Sequence, residues 1–160
     1  MIPKIITLSE KKLVGKRLTM SLQQNRTFEL WSSFMPLRNQ IKNVLGSDKF
    51  SMQVYSTDFD YNQFTPQTVF EKWAAVEVSD FLNIPENMEA YLLKGGLYAV
   101  FHYKGKPENA SEIFYYIFKT WLPNSEYEVD KREHFEILGD KYLRDDDNSE
   151  EEIWVPIKLK

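Results

Sequence analysis

The sequence contains no cysteine among its 160 residues. Disulfide bonds and thiolate metal sites are therefore excluded, and the composition is compatible with a reducing compartment. Histidine is also scarce: His102 and His134 are the only two, and neither has the spacing of zinc ligands on a helix. We therefore expect neither a metal nor any other cofactor.

Basic clusters and long apolar runs are missing as well. The net charge is −4, and the longest charge run, from Asp145-Asp146-Asp147 to Glu150-Glu151-Glu152, is acidic. Proteins that neutralise phosphates need grouped Lys and Arg, so we expect no direct binding of nucleic acid. The amino terminus lacks a signal-peptide pattern, and no segment reaches membrane-spanning length. These features predict a soluble, cytoplasmic protein without a membrane partner.

Aromatic residues, by contrast, are abundant. They make up 15% of the chain, with 11 Phe, 9 Tyr and 4 Trp. Most of them are expected to fill the core, because aromatic side chains bury large areas. A smaller group is expected to line a pocket for a small molecule.

Two segments carry apolar residues at helical spacing. The first runs from Phe28 to Val44, with Thr27 as its possible N-cap. Pro36 lies inside it and should kink or delay the helix, because proline lacks a backbone N–H. The second helix is predicted from about Asn109 to Trp121, ending before Pro123.

The rest of the chain reads as strands separated by turns. The predicted strands are Ile2 to Leu8, Leu13 to Leu22, Ser51 to Thr57, Lys72 to Val78, Met88 to Leu93, Leu97 to Tyr103, Glu133 to Leu138 and Ile153 to Leu159. The stretches Asp58 to Pro66 and Asp140 to Glu151 are interpreted as surface loops.

The element order β-β-α-β-β therefore occurs twice, which indicates an internal repeat of about residues 1–80 and 81–160. One offset of 81 residues aligns Gly15 with Gly96, Tyr55 with Glu136, and Trp73 with Trp154. Identity is low, so chance matching is the alternative to duplication. Duplication predicts a single α+β domain over residues 1–160, with pseudo-twofold symmetry. Its two halves would form one antiparallel sheet with two main helices on one face and a central cleft.

Three motifs resemble the GyrI-like family, which includes effector-binding domains of AraC-type and MerR-type transcription regulators. They are the stretch from Gly95 to Gly105, the triplet His134-Phe135-Glu136, and the closing strand from Glu151 to Ile157. Their order and spacing, with Trp121-Leu122-Pro123 between the first and second, carry the resemblance over essentially the whole chain. No helix-turn-helix segment precedes the first strand, so the resemblance implies a stand-alone sensor half without a DNA-reading half.

Glu136 is the first candidate site residue. An acidic residue between Phe135 and Ile137 on a strand normally faces solvent. The family resemblance instead implies a carboxylate at the floor of the cleft, where it would attract cationic, planar ligands. Such a carboxylate would need a raised pKa or a hydrogen-bonding partner, for which Tyr55 is the candidate.

Several aromatic residues are further candidates for the cleft. Trp73 and Trp154 are either symmetric core residues or two aromatic walls suited to cation–π contact, and the resemblance favours a wall for Trp154. Four more aromatic residues lie on helix faces, where core packing is the commoner role. They are Trp31, Phe34, Phe118 and Trp121.

Three functions are compatible with these residues. The leading one is capture of amphipathic or cationic aromatic molecules, as a sensor or a sequestering domain with multidrug-type binding. The second is hydrolysis of reactive small molecules with Glu136 as general base. The third is a gyrase-inhibitor type of protein interaction, supported only by the acidic stretch Asp145 to Glu152.

Overall fold

The computed structural model describes every residue from Met1 to Lys160. Nine strands form the framework of the fold. In chain order they are β1 (Lys4–Leu8), β2 (Lys11–Met20), β3 (Val44–Val54), β4 (Phe70–Val78), β5 (Glu89–Leu93), β6 (Gly96–Lys104), β7 (Tyr127–Val129), β8 (His134–Leu138) and β9 (Glu150–Leu159). The short β7 was not predicted from the sequence. None of the helices is both long and apolar enough to cross a membrane.

The first helix is shorter than predicted. Helix α1 spans Thr27–Phe34, and the chain then tightens into a 3-10 helix over Met35–Gln40. The prediction of a helix to Val44 was wrong, because Pro36 cannot donate the α-helical hydrogen bond and Val44 already begins β3. Thr27 is the first helical residue rather than the cap, and its N–H donates to the Asn25 side chain at 2.9 Å.

The second helix continues past the predicted end. Helix α2 (Ser111–Tyr116) leads into a π-helical turn (Ile117–Trp121), and α3 (Leu122–Asn124) follows. Pro123 lies within α3, so it does not terminate the helix as predicted. A short 3-10 turn over Pro107–Asn109 precedes α2.

All strand pairs are antiparallel. The strand order is β1-β6-β9-β8-β3-β4-β2-β5, and β7 pairs with β9 beside this path. The order is symmetric about its centre. Strands β1, β2, β3 and β4 of the first half occupy positions that correspond, counted from the other end, to those of β5, β6, β8 and β9. Strands β8 and β3 meet at the centre, and each edge strand pairs with a strand of the other half. The predicted α+β class with one antiparallel sheet and two main helices is confirmed.

Both helices pack on the same face of the curled sheet. Helix α1 covers Val14, Ala74 and Val76, whereas α2 covers Ala99 and Val155. The opposite face carries the central core, which combines residues from eight strands. It includes Leu8, Leu13, Phe50, Met52, Trp73, Leu93, Tyr98, Phe135 and Trp154.

A single repeat offset does not fit the strand register. Gly15 lies opposite Ala75, which is two residues after Trp73. The residue two after Trp154 is Pro156, and it lies opposite Tyr98 rather than Gly96. A superposition of the two halves therefore cannot place Gly15 on Gly96 and also Trp73 on Trp154. Duplication of the two halves stays a hypothesis. The symmetric strand order is compatible with it, but a uniform offset of 81 residues is not.

The acidic stretch before the last strand is only partly a loop. Strand β9 begins at Glu150 instead of the predicted Ile153, and Tyr103 of β6 lies opposite Glu151. Glu151 is buried. The run from Asp145 to Glu152 is consequently not a continuous exposed acidic surface.

Candidate functional site

The centre of the helix-bearing face carries polar side chains. Across the β3–β8 junction, Ser51 lies opposite Glu136 and Gln53 lies opposite His134. Residues opposite one another on paired strands point to the same face. Ile153 of β9 lies opposite Glu136 and packs under α2, so Glu136 faces the helices. Glu136 therefore lies near the middle of the sheet, on the face that carries the helices.

Glu136 is paired with a lysine. Lys72 of β4 lies opposite Gln53, and its Nζ is 3.7 Å from a Glu136 carboxylate oxygen. The exposed fractions of the two side chains are only 8% for Lys72 and 15% for Glu136. When its amide oxygen faces Lys72, Gln53 accepts a hydrogen bond from Nζ at 2.9 Å. Both charges thus have a partner, as burial of an ionised group requires.

A second carboxyl group, that of Glu151, shares this region. It lies two residues before Ile153 on β9, so its side chain points to the same face as Glu136. The Glu151 side chain takes part in neither a hydrogen bond nor an ion pair, and the residue is 9% exposed. Burial raises its pKa to about 7, and the Glu136 charge adds to that rise while Lys72 opposes it.

Aromatic rings lie around the Glu136 carboxylate. Tyr55, Phe59, Tyr61 and Phe64, from the connection between β3 and β4, form a set of stacked and edge-on rings that we call the aromatic lid. Tyr61 stacks on His134 at 4.6 Å between ring centroids and lies 4.9 Å from Phe118. The lid of the first half therefore rests on the helix and central strand of the second half.

The two tyrosines of the aromatic lid, and the His134 ring on which Tyr61 stacks, are uncharged. Burial raises the pKa of Tyr61 to about 12 and also raises that of Tyr55. Burial, with Arg132 nearby, lowers the pKa of His134 to about 3. These three groups are therefore neutral near pH 7.

A cavity of about 30 Å³ remains between the lid and the sheet. It is lined mainly by Tyr55, Tyr61, Phe118, His134 and Glu136. Such a space holds roughly two water molecules. The aromatic lid thus fills most of the cleft in this state.

The structure brings three of the sequence-predicted site residues together. Glu136, Tyr55 and Phe118 all line the cavity. Tyr55 interacts electrostatically with Glu136, and its ring also packs edge-on against His134 at 5.4 Å.

The other candidates lie elsewhere. Trp154 borders the cavity along its strand, but its ring stacks on Phe135 at 5.2 Å, in the core on the opposite face. Trp73 belongs to that same core and packs edge-on against Tyr91. The remaining three pack between helices and sheet: Trp31 and Phe34 belong to α1, and Trp121 packs against Phe101.

Sequence reasoning missed Lys72, Glu151, His134 and Tyr61. Lys72 and Glu151 lie within charged pairs and runs that look solvent-exposed, and Tyr61 lies in a segment interpreted as a surface loop. One available signal was the density of aromatic residues between Tyr55 and Phe64, because a solvated loop seldom holds four large rings.

A sequence model described as "GyrI-like small molecule binding domain" matches residues 1–158. The chain belongs to the GyrI-like family. Its family resemblance is thereby confirmed over essentially the whole length, and the domain is a small-molecule binding domain by family. No curated protein matches this GyrI-like chain by sequence.

Solved structures share the fold of this GyrI-like domain. SAV2435 bound to tetraphenylphosphonium has a TM-score of 0.74 and 18% identity, over 99% of this chain and 94% of that one. EcmrR in a DNA complex has a TM-score of 0.69 and 14% identity, over 98% of this chain and 57% of that one. A hydrolase from Listeria innocua has a TM-score of 0.62 and 10% identity, over 98% and 92%. Such identities establish similarity of fold alone.

Proposed function

We propose that this GyrI-like domain binds amphipathic cations with an aromatic body, as a sensor or sequestering domain. One observation carries the proposal: two carboxyl groups, Glu136 and Glu151, share a buried face with a single ammonium, that of Lys72. With both carboxyl groups ionised, the face has an excess of one negative charge. The aromatic lid above it supplies the apolar surface that such a ligand needs.

The two parts of the ligand would contribute differently. Burial of its rings supplies most of the binding free energy, at roughly 25 cal/mol per Å² before the costs of association. The carboxylates select for positive charge, since an anion would meet unfavourable electrostatics in a site shielded from water. Stacking on Phe118 and the tyrosines adds cation–π attraction.

Binding would require the aromatic lid to move. The cavity of about 30 Å³ is far too small for an aromatic cation. The Tyr61 ring packs on His134 and Phe118. A ligand that offers its own rings to these two side chains can replace Tyr61 without leaving them exposed. SAV2435, which shares the fold, was solved with tetraphenylphosphonium, and this supports the choice of probe.

Tetraphenylphosphonium should bind this protein, whereas tetraphenylborate, an anion of closely similar shape, should bind at least tenfold more weakly. The comparison isolates charge because the two ions bury similar apolar areas. Isothermal titration calorimetry of both ions at pH 8 and constant salt makes the test. Equal affinities for the two ions, or binding of neither, would refute the proposed selectivity for cations.

Hydrolysis is a second candidate function. The pKa of Glu151, about 7, is suited to a general base near neutral pH. Incubating the protein with a reactive electrophile, such as an epoxide with an aromatic body, separates the two functions. Sustained turnover that Glu151→Gln abolishes would establish the hydrolase, whereas a binding protein gives none.

A further inference from the structure

Glu151 is a buried residue on the same face of the sheet as Glu136 and Lys72. At 9% exposure it takes part in no ion pair and no hydrogen bond through its side chain. Lys72, the one ammonium in its surroundings, is 3.7 Å from Glu136. A buried carboxyl group without a partner in the protein is usually either protonated or paired with a charged ligand.

The charge balance of the cleft depends on the state of Glu151. When it is protonated, the ion pair of Glu136 and Lys72 leaves the cleft neutral. When it is ionised, the cleft holds one negative charge that nothing in the protein balances. A bound monovalent cation would supply the missing charge and thereby favour the ionised carboxylate.

We propose that Glu151 is the second carboxylate of the ligand site, and that capture of a monovalent organic cation releases a proton from it. The O–H bond of the Glu151 carboxyl group breaks, its electron pair stays on the carboxylate, and the proton passes to the buffer. No other bond changes. The inference rests on the proposed function, because it assigns a role in cation binding to the same cleft.

The neighbours of Glu151 do not offer another source for this proton. Glu136 on β8 and Lys72 on β4 form the existing ion pair. Tyr103 on β6 and Tyr142 in the loop between β8 and β9 have raised pKa values, so both stay protonated. The pKa of Glu151 itself is about 7, so cation binding near neutral pH can change its protonation.

Calorimetric titration with tetraphenylphosphonium in phosphate and in ACES, two buffers with different heats of ionisation, measures the released proton directly. With a pKa of about 7 in the free protein, release should approach about 0.9 proton at pH 6, about 0.5 at pH 7 and about 0.1 at pH 8. Affinity should rise by about fivefold from pH 6 to pH 7. Glu151→Gln should bind without release and with a flat pH profile. Glu128→Gln removes an exposed carboxylate, one paired with Lys158 at 3.6 Å, and should behave as the wild type.

The possible failures are distinguishable. Absence of tetraphenylphosphonium binding at every pH would overturn the proposed function itself. Tight binding with identical heats in both buffers, or release that persists in Glu151→Gln, would overturn the role of Glu151 while leaving the binding function intact. Thermal melting of the Gln variant separates loss of folding from loss of proton release.

Discussion

Replacing Glu136 with Gln should lower the affinity for tetraphenylphosphonium by about 5- to 150-fold, the equivalent of about 1–3 kcal/mol for a charge-assisted contact. The amide keeps the shape of the side chain and removes the charge that faces the ligand. The same substitution leaves Lys72, which is only 8% exposed, without its partner. The cleft then repels cations through that ammonium, and its affinity for tetraphenylborate should rise. Calorimetry with both ions measures the two changes.

Two further variants serve as controls for this result. Glu128→Gln breaks an ion pair of nearly the same length, 3.6 Å, whose side chains are about half exposed, and should leave both affinities unchanged. Lys72→Met keeps Glu136 and removes the competing ammonium, so cation affinity should increase. Equal losses for both ions in Glu136→Gln would mean that Glu136 supports the fold rather than selecting charge.

Replacing His134 with Phe should change the response of stability to acid. The pKa of His134 is about 3 in the folded protein and about 6.5 when unfolded, so the unfolded chain binds the extra proton between these values. The stability associated with the neutral histidine is therefore present above pH 6.5 and is lost as the pH falls toward 3. From pH 7 to pH 5 the loss is about 2 kcal/mol. Phe keeps a ring for Tyr61 to stack on and removes the titration.

The titration of Glu151 opposes that of His134. Because its pKa is raised to about 7 in the folded state, the folded protein binds the extra proton, and stability increases as the pH falls from 7 toward 4.5. Urea denaturation at pH 7 and pH 5 should therefore show a nearly flat wild type, a gain at pH 5 for His134→Phe, and a loss at pH 5 for Glu151→Gln. Parallel behaviour of His134→Phe and the wild type would show that His134 is not buried in its neutral form.

The sequence predicts the features for which a local residue pattern has a single structural explanation. The order of strands and helices follows from periodicity and turn residues, and Glu136 was conspicuous as an acidic residue between apolar neighbours. The first helix was overextended because the apolar spacing continues past Pro36, although proline ends the α-helical hydrogen bonding there.

Which side chains line the cleft could not be predicted from local sequence patterns. Trp154 pairs with Phe135, whereas Glu136 pairs with Ile153, so the tryptophan ring and the carboxylate point to opposite faces. A shift of one residue in strand register would reverse that outcome, and a single sequence does not specify the register between distant strands. The approach of Lys72, Glu136 and Glu151 depends on three such registers. The aromatic lid was missed because loops are expected to be polar.

The central claim is that an aromatic cation binds on the helix-bearing face above Glu136 after displacing the aromatic lid. A crystal structure of the protein with tetraphenylphosphonium tests it most directly. We expect the ligand's rings against Phe118 and His134, the Glu136 carboxylate facing the ligand, and Tyr61 moved away from its present stack. A ligand seated elsewhere, with Tyr61 still stacked on His134, would contradict the account.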